Sequence, residues 1–388
     1  MFKSTILERV LDGVNKKGII TYPELCPSVK SPKSKCCRCL DYCPTGSIKI
    51  KDTIILDEKC SECGICISAC PNGVFNSRRK NDLYIMLLAY NLLHNDPREP
   101  VRFTCEKSSE KNVDIVFLSC IGRLTENMLI DLVLQGALIE IKLPDCAGCG
   151  FENVKTLFAE TIQVSLLILK AMGVEGESIR ILGEFKKKNG QAHTGTGLNR
   201  RSFIKKIKNK VLIKTSEAFS DFFKLEQEHS AAGHVNKVQN YKRIQLVNLL
   251  KKFNHKETVL HTNTFVPFAT SYIKESCIGC NVCSAICPGG AIQRVSGDDF
   301  IKILFSEQHC TNCGLCQNAC LVRAIEITPR IYLKGILDDA EIELIELKKK
   351  NCLFCKEEFA AINKTICPFC EKRRMVGEEM EGNIDGIL

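Results

Sequence analysis

Cysteine is the side chain through which this sequence can do chemistry: 25 of its 388 residues are cysteine, and most recur at one spacing. Cys277, Cys280, Cys283 and Cys287, followed by Pro288, form a C-x2-C-x2-C-x3-C-P run. Cys60, Cys63, Cys66 and Cys70, followed by Pro71, form a second. Cys310, Cys313, Cys316 and Cys320 form a third, with Leu321 at the proline position. A fourth is broken: Cys36, Cys39 and Cys43, followed by Pro44, fit the last three positions, but Lys33 stands in the first. Thiolates are soft ligands that suit iron–sulfur clusters and zinc. Two residues between successive cysteines let the backbone curl, so three sulfurs of one loop can converge on one inorganic core.

This spacing resembles the bacterial-type two-cluster ferredoxins, in which it binds [4Fe–4S] clusters and the fourth cysteine ligates the neighbouring cluster. The resemblance implies that the motifs work in pairs, 36–43 with 60–70 and 277–287 with 310–320. Four [4Fe–4S] clusters in two modules follow. One takes Cys60, Cys63, Cys66 and Cys43; the C-terminal pair takes Cys277, Cys280, Cys283 and Cys320, then Cys310, Cys313, Cys316 and Cys287. The remaining N-terminal set has Cys36, Cys39, Cys70 and one more thiolate. Cys26 is preferred, because the Pro-, Ser- and Lys-rich stretch 27–35 can fold it back; adjacent Cys37 is the alternative. An echo after each fourth cysteine (residues 44–48, 71–75, 288–292 and 321–325) marks an internal repeat used four times. A disulfide framework would need an oxidising compartment, and residues 1–20 lack the apolar core and cleavage site of a signal peptide. Zinc sites space two CxxC pairs further apart.

The length suggests two to four domains, and 45% hydrophobic residues are ample for packed cores. No apolar stretch approaches the roughly 18 residues that cross a bilayer, so a soluble, cytoplasmic protein is expected. The formal charge is +9. A [4Fe–4S] core with four thiolates carries roughly −2, so four would nearly cancel that excess. The basic balance reads as compensation for buried anionic cofactors, which argues against nucleic acid as a partner.

Residues 80–183 alternate in pattern. Helices are expected over 82–94, 124–135 and 151–173, and strands over 101–104, 113–119, 137–143 and 178–182, which predicts a parallel sheet covered by helices. Cys105, Cys120, Cys146 and Cys149 each fall just past the end of an expected strand. In an open parallel sheet those ends share the edge where ligands gather. Four thiols there predict a fifth redox site, against the alternative of four inert buried thiols. Dispersed ligands favour [2Fe–2S], with a further [4Fe–4S] as the alternative. Ser119-Cys-Ile-Gly-Arg-Leu-Thr-Glu, Gln135-Gly-Ala and Asp145-Cys-Ala-Gly-Cys-Gly resemble the iron–sulfur delta subunit of methyl-viologen-reducing hydrogenases, which accompanies heterodisulfide reductases. The resemblance spans about residues 100–183. It implies a [2Fe–2S] cluster passing electrons between a dehydrogenase or hydrogenase and a flavin-bearing partner. Where that family has a paired cysteine motif near the domain start, this chain has Cys105 alone.

Residues 184–275 contain no cysteine and read as a basic helical connector, with helices near 201–227 and 241–253. Arg200 and Arg201 begin a stretch like a twin-arginine export motif, but it lies mid-chain with no apolar region after it. His193, His229, His234, His255 and His261 share no ligand spacing. A Glu- and Lys-rich helix is expected over 338–350. Cys352, Cys355, Cys367 and Cys370 form two CxxC knuckles separated by eleven residues, the spacing of a zinc ribbon. A rubredoxin-like iron is the alternative.

No G-x-G-x-x-G, P-loop, H-E-x-x-H or recognisable Ser/His/Asp arrangement occurs. The expected fold is an α+β multidomain chain. It comprises a ferredoxin-like module (1–79), a central α/β parallel-sheet domain (80–183), the connector (184–270), a second ferredoxin-like module (271–335), and a helix with a zinc-ribbon-like knuckle (336–388). The expected function is electron relay within an anaerobic oxidoreductase complex, without catalysis by this chain. Electrons would pass through the N-terminal pair, the middle site and the C-terminal pair. The catalytic partner would be a hydrogenase, formate dehydrogenase, heterodisulfide-reductase-like or tungsten/molybdenum oxidoreductase. Two alternatives stand: an enzyme with an open iron at the broken motif, and a redox-sensing nucleic-acid binder using the knuckle and the basic run 200–214.

Overall fold

The computed structural model describes residues 18–78, 81–183 (without 111, 113, 145, 147, 148, 150, 152 and 175), 240–252, 259–262 and 265–374. The expected helix over 201–227, the basic run 200–214 with Arg200 and Arg201, and His193, His229, His234 and His255 lie outside those residues.

The first module runs β1 (Ile19–Thr21), α1 (Pro27–Lys30), α2 (Arg38–Asp41), β2 (Ile48–Ile50), β3 (Ile54–Leu56), α3 (Ile65–Ala69) and β4 (Phe75–Ser77). Strand β1 pairs antiparallel with β4, and β2 with β3. With three residues per strand, these hairpins bury little by themselves. The small core is made by Leu25, Ile48, Ile54, Ile67, Val74 and Phe75, interleaved with cysteines.

The middle domain runs α4 (Asp82–Asn95), β5 (Val101–Cys105), β6 (Ile115–Leu118), α5 (Glu126–Leu134), β7 (Ile139–Lys142), α6 (Asn153–Ala171) and β8 (Ile179–Leu182). All strand pairs are parallel, in the order β6-β5-β7-β8, as the alternating pattern predicted. Asn81 and Thr125 start α4 and α5 by accepting hydrogen bonds from the amides of Tyr84 (3.0 Å) and Met128 (3.4 Å). The chain leaves β5 to one side for β6 and returns to the other for β7. The crevice at the carboxyl ends of these strands is therefore a topological switch point.

The remaining elements are α7 (Tyr241–Lys251), β9 (Val259–His261), β10 (Ala269–Ile273), α8 (Val282–Ile286), β11 (Ile292–Ser296), β12 (Phe300–Ser306), α9 (Leu315–Ala319), β13 (Ile325–Tyr332), α10 (Leu333–Leu337), β14 (Glu341–Asn351) and β15 (Glu358–Ala361). They form an antiparallel sheet β10-β13-β9 and another, β11-β12-β14-β15.

Two features depart from the sequence reading. The helix expected over 338–350 is strand β14. Its Ile345 and Leu347 are buried with a period of two, against Ile303 and Ile301 of β12, and a shift in register between Ile303 and Leu304 accommodates the extra residue Leu344. The long apolar partner strand overrides the helix-forming Glu and Lys. In addition, α7, from the segment read as a basic connector, is an interior element. Leu246, Val247 and Leu250 lie in the core of the middle domain, beside Val266, Phe268, Ile331 and Leu333. Each large apolar side chain buried in this way contributes about 1.5–3 kcal/mol.

Candidate metal centres

Each cysteine motif is a tight loop followed by a one-turn helix. Helices α2, α3, α8 and α9 carry Cys39, Cys66, Cys283 and Cys316, and the last cysteine of three motifs (Cys70, Cys287, Cys320) caps the helix in extended conformation. The loops turn through left-handed residues at matching places: Glu62, Gly279 and Asn312 inside the first CxxC, and Gly46, Gly73, Gly290 and Arg323 in the echo after the fourth cysteine. The repeat seen in the sequence is thus a repeat of backbone shape. Backbone amides are aimed at sulfur within it. Ala291 donates to Cys287 Sγ at 3.2 Å, Ala324 to Cys320 Sγ at 3.3 Å and Gly279 to Cys277 Sγ at 3.5 Å. Such donors favour thiolate and raise the potential of a cluster held there.

In the N-terminal module, burial pushes the Cys39 thiol well up, and the charges of Cys70, Cys26 and Cys36 add to it. Those four cysteines face one another, and Cys26, Cys39 and Cys70 are buried. Cys37 is exposed and donates to Asp41 Oδ2 at 2.8 Å. Burial likewise raises Cys66, with Cys63 and Cys60 as its nearest charges, and raises Cys63, which feels Cys43 and Cys60. Burial would also raise Cys43, but hydrogen bonds from Thr45 and Ser47 outweigh it and lower the thiol overall. In the C-terminal module, burial pushes Cys283 up to about 11, with Cys280, Cys277 and Cys320 around it. Burial also raises Cys310 to about 12, next to Cys313 and Cys287, and raises Cys316, whose nearest charges are Cys310, Cys287 and Cys313. Buried thiols that repel one another as thiolates fit a cationic core among them, as the iron of a cluster would provide.

The middle-domain cysteines gather at the switch point. Cys105 ends β5, Cys120 follows β6, and Cys146 and Cys149 follow β7. Together with Lys107 and Phe151 they line a cavity of about 390 Å³. Lys107 Nζ donates to Cys149 Sγ at 3.2 Å and lies 5.4 Å from the centre of the Phe151 ring. Burial pushes Cys120 up to about 12.

At the C-terminus the sulfurs of Cys352, Cys355, Cys367 and Cys370 lie within 4.8 Å of one another. The Cys355–Cys367 separation is 3.8 Å. A tetrahedral ion with metal–sulfur bonds of about 2.3 Å has sulfur–sulfur edges of about 3.8 Å, so the donor set fits such an ion. Strand β15, inside the eleven-residue spacer, joins β14 and ties the knuckle to the C-terminal sheet.

Several residues around these sites gave no sequence signal. Asn72, in the echo after Cys70, is 1% exposed, and its Oδ1 accepts from Thr311 Oγ1 at 2.6 Å while its Nδ2 has no hydrogen-bond partner among the described residues. A buried orphan donor beside a ligand loop fits a sulfur acceptor. Three buried cations also flank the motifs. Arg123 pairs with Asp82 and packs on Gly64. Lys242 pairs with Glu126 at 3.1 Å and donates to the carbonyls of Ser68 (3.0 Å) and Cys70 (3.5 Å). Arg243 donates to the carbonyls of Gln308 (2.5 Å), Pro267 (2.5 Å) and Glu307 (2.8 Å). Arg243, whose side chain donates to neutral carbonyls, is a compensating charge where an anionic cofactor would lie.

Two protein families match the chain: the 4Fe-4S binding domain over residues 53–76 and the 4Fe-4S dicluster domain over residues 276–324. Pyruvate synthase subunit PorD of Thermotoga maritima is 43% identical over 56 residues, covering 14% of this chain and 54% of PorD, so the chain spans about half the length of that relative. PorD of Methanothermobacter marburgensis is 34% identical over 64 residues, covering 16% of this chain and 67% of that protein. PorD of Methanocaldococcus jannaschii is 38% identical over 64 residues, covering 16% and 71%. Among the described residues no helix is long and apolar enough to cross a membrane. With two ferredoxin-type regions, and through about a sixth of its length, the chain belongs to the family of 4Fe-4S ferredoxin-type iron–sulfur proteins that includes these PorD subunits.

Proposed function

We propose that the chain is a multi-cluster electron carrier of a cytoplasmic oxidoreductase complex in an anaerobe. It would hold four [4Fe–4S] clusters in the crossed cysteine sets, a [2Fe–2S] cluster in the middle domain and zinc in the knuckle. The observation that carries this reading is the grouping of sixteen cysteines, all but Cys280 buried or half-buried, into four facing sets, with Cys26 beside the broken one. The PorD relatives are named as subunits of a multi-subunit enzyme, which supports a partner that does the substrate chemistry. A hydrogenase, formate dehydrogenase, heterodisulfide-reductase-like or tungsten/molybdenum oxidoreductase fits. The two family matches lie outside residues 80–183, so the delta-subunit reading of the middle domain, with its flavin-bearing partner, rests on the sequence resemblance and on four thiols at the switch point.

When bound, the clusters supply one-electron chemistry. The chain's own residues hold them, exclude water and set their potentials through amide donors and buried cations. A set completed by Cys26 disfavours an open iron for substrate. The test is iron content and low-temperature electron paramagnetic resonance (EPR) after anaerobic purification. Roughly sixteen or more irons per chain, with several low-potential one-electron steps, are expected. Fewer than about twelve irons would sink the reading.

A further inference from the structure

The order of the thiolate sites in space differs from their order in the chain. The middle domain lies between the two modules in sequence, yet its site touches only one end of the row that the structure lays out. Helix α3, which carries Cys66, packs on the turn Ile121–Arg123 that follows Cys120. Ser68 Oγ donates to the Gly122 carbonyl there. One apolar cluster joins Ile65, Ala69, Cys120, Val154 and Leu157, with Cys63 packed against it. The charge of Cys63 reaches Cys120 along with those of Cys105 and Cys146. Within the N-terminal module Cys43 and Cys66 pack against Cys26, Cys39 and Cys70 in one cluster.

Just after α3 the same module meets the C-terminal module directly. Thr311 Oγ1 donates to Asn72 Oδ1 at 2.6 Å, both side chains being buried. Asn240 Nδ2 donates to the Pro71 carbonyl at 2.9 Å. Two consecutive residues of α7 then bridge the seam: Lys242 reaches the carbonyl of Cys70, and Arg243 those of Glu307 and Gln308, just before Cys310. The charge of Cys36 reaches Cys313 across this seam. Beyond it, Cys277, Cys283 and Cys320 of the last set pack against the cluster that holds Cys310 and Cys316. That last set is the most open, with Cys280 exposed and neighbouring Leu321 69% exposed.

We infer that the five sites form a single file, which runs from the Cys105/Cys120/Cys146/Cys149 site through the Cys43 set, the Cys26 set and the Cys287 set to the Cys277 set. This inference rests on the electron-carrier reading. Its two ends are the places of exchange: a one-electron donor protein docks at one and a one-electron acceptor protein at the other. One electron leaves the donor and reduces the first site. Each site is reoxidised as the next is reduced, and the acceptor takes the electron at the far end. No bond at cysteine forms or breaks. Arg243, which donates to neutral carbonyls beside Cys310, stands at the central seam, where its charge would favour the reduced state of a cluster held there.

The discriminating variant is Cys120→Ser with Cys146→Ser in the full chain, purified and reduced anaerobically. The readout is spin–spin coupling between reduced clusters in the EPR spectrum, with iron counted on the same sample. The single file predicts that the middle-site signal disappears while coupling between the N-terminal and C-terminal modules persists unchanged. Loss of that coupling with about sixteen irons still bound overturns the order and restores the chain order. A second variant removes the other end: Cys277→Ala with Cys280→Ala. The middle-site signal should be unchanged; an altered middle-site signal overturns the file. A wild-type protein with too little iron would instead overturn the carrier reading, so the two failures are distinct.

Discussion

The two ferredoxin-like modules share one repeat but are supported in opposite ways. The C-terminal module carries its own scaffold. Strands β11 and β12, of five and seven residues, are extended by β14 and β15 into a four-stranded sheet. The N-terminal module has only three-residue strands in the corresponding hairpin. What it lacks is supplied from outside: Arg123 comes from the middle domain, and Asn240, Tyr241 and Lys242 come from α7 and its cap. Tyr241 Oη, for example, donates to the Phe75 carbonyl at 3.0 Å. The difference teaches that a cluster-binding loop specifies its ligands locally but not its support, which any neighbouring chain segment can provide.

The largest break in this comparison is expected at the outlying ligand. Cys26→Ala should cost the N-terminal module one cluster, about four irons, and leave the C-terminal EPR signals intact, whereas Cys37→Ala should cost none. Equal iron loss from both variants would refute the assignment. Next comes the extra scaffold of the C-terminal module. Cys370→Ser should release the knuckle metal, which structural sites bind by about 10 kcal/mol or more in peptides, while the N-terminal signals stay unchanged. Zinc and iron analysis of one sample checks this; iron in the knuckle rather than zinc would favour the rubredoxin-like alternative. Third, Lys242→Met strands Glu126 in the interior and unpairs the carbonyls after α3. A loss of about 3 kcal/mol is expected, read by thermal or denaturant unfolding. Lys302→Met, whose partners Glu343 and Glu346 lie on the exposed face of the C-terminal sheet, should leave the midpoint nearly unchanged. The smallest effect concerns the repeat itself. Arg323 sits at φ 51° where the other three echoes have glycine. Arg323→Gly should stabilise by about 0.5 kcal/mol, the left-handed strain relieved being partly offset by the freer unfolded chain.

The ligand loops were legible because C-x2-C-x2-C-x3-C is a local pattern: every residue that shapes the loop lies within it. The middle domain was legible for a related reason. Val101, Phe103, Ile139 and Ile141 alternate with polar residues and turn one apolar face of the sheet to the core, and Cys105 and Cys120 fall at strand ends whatever surrounds them. Strand β14 was not legible, since Glu341–Asn351 is a strand only because β12 lies beside it. Neither were Lys242 and Arg243, which look like ordinary surface cations in a basic segment. Their burial is decided by Glu126, Cys70 and Gln308, which lie far away in sequence. For the same reason the order of the sites could not be read, because Asn72 and Thr311 meet across 239 positions.

Helix α7 has a consequence for how this protein can be divided. A ferredoxin domain is ordinarily a cassette, movable between chains because its contacts close upon themselves. Here eleven residues from a cysteine-free stretch complete hydrogen bonds in one such unit, fill the core of a second and anchor the edge of a third. A cut that separates α7 from any of the three exposes interior side chains. The cluster-binding parts can change hands only together, with the intervening helix as their common keystone.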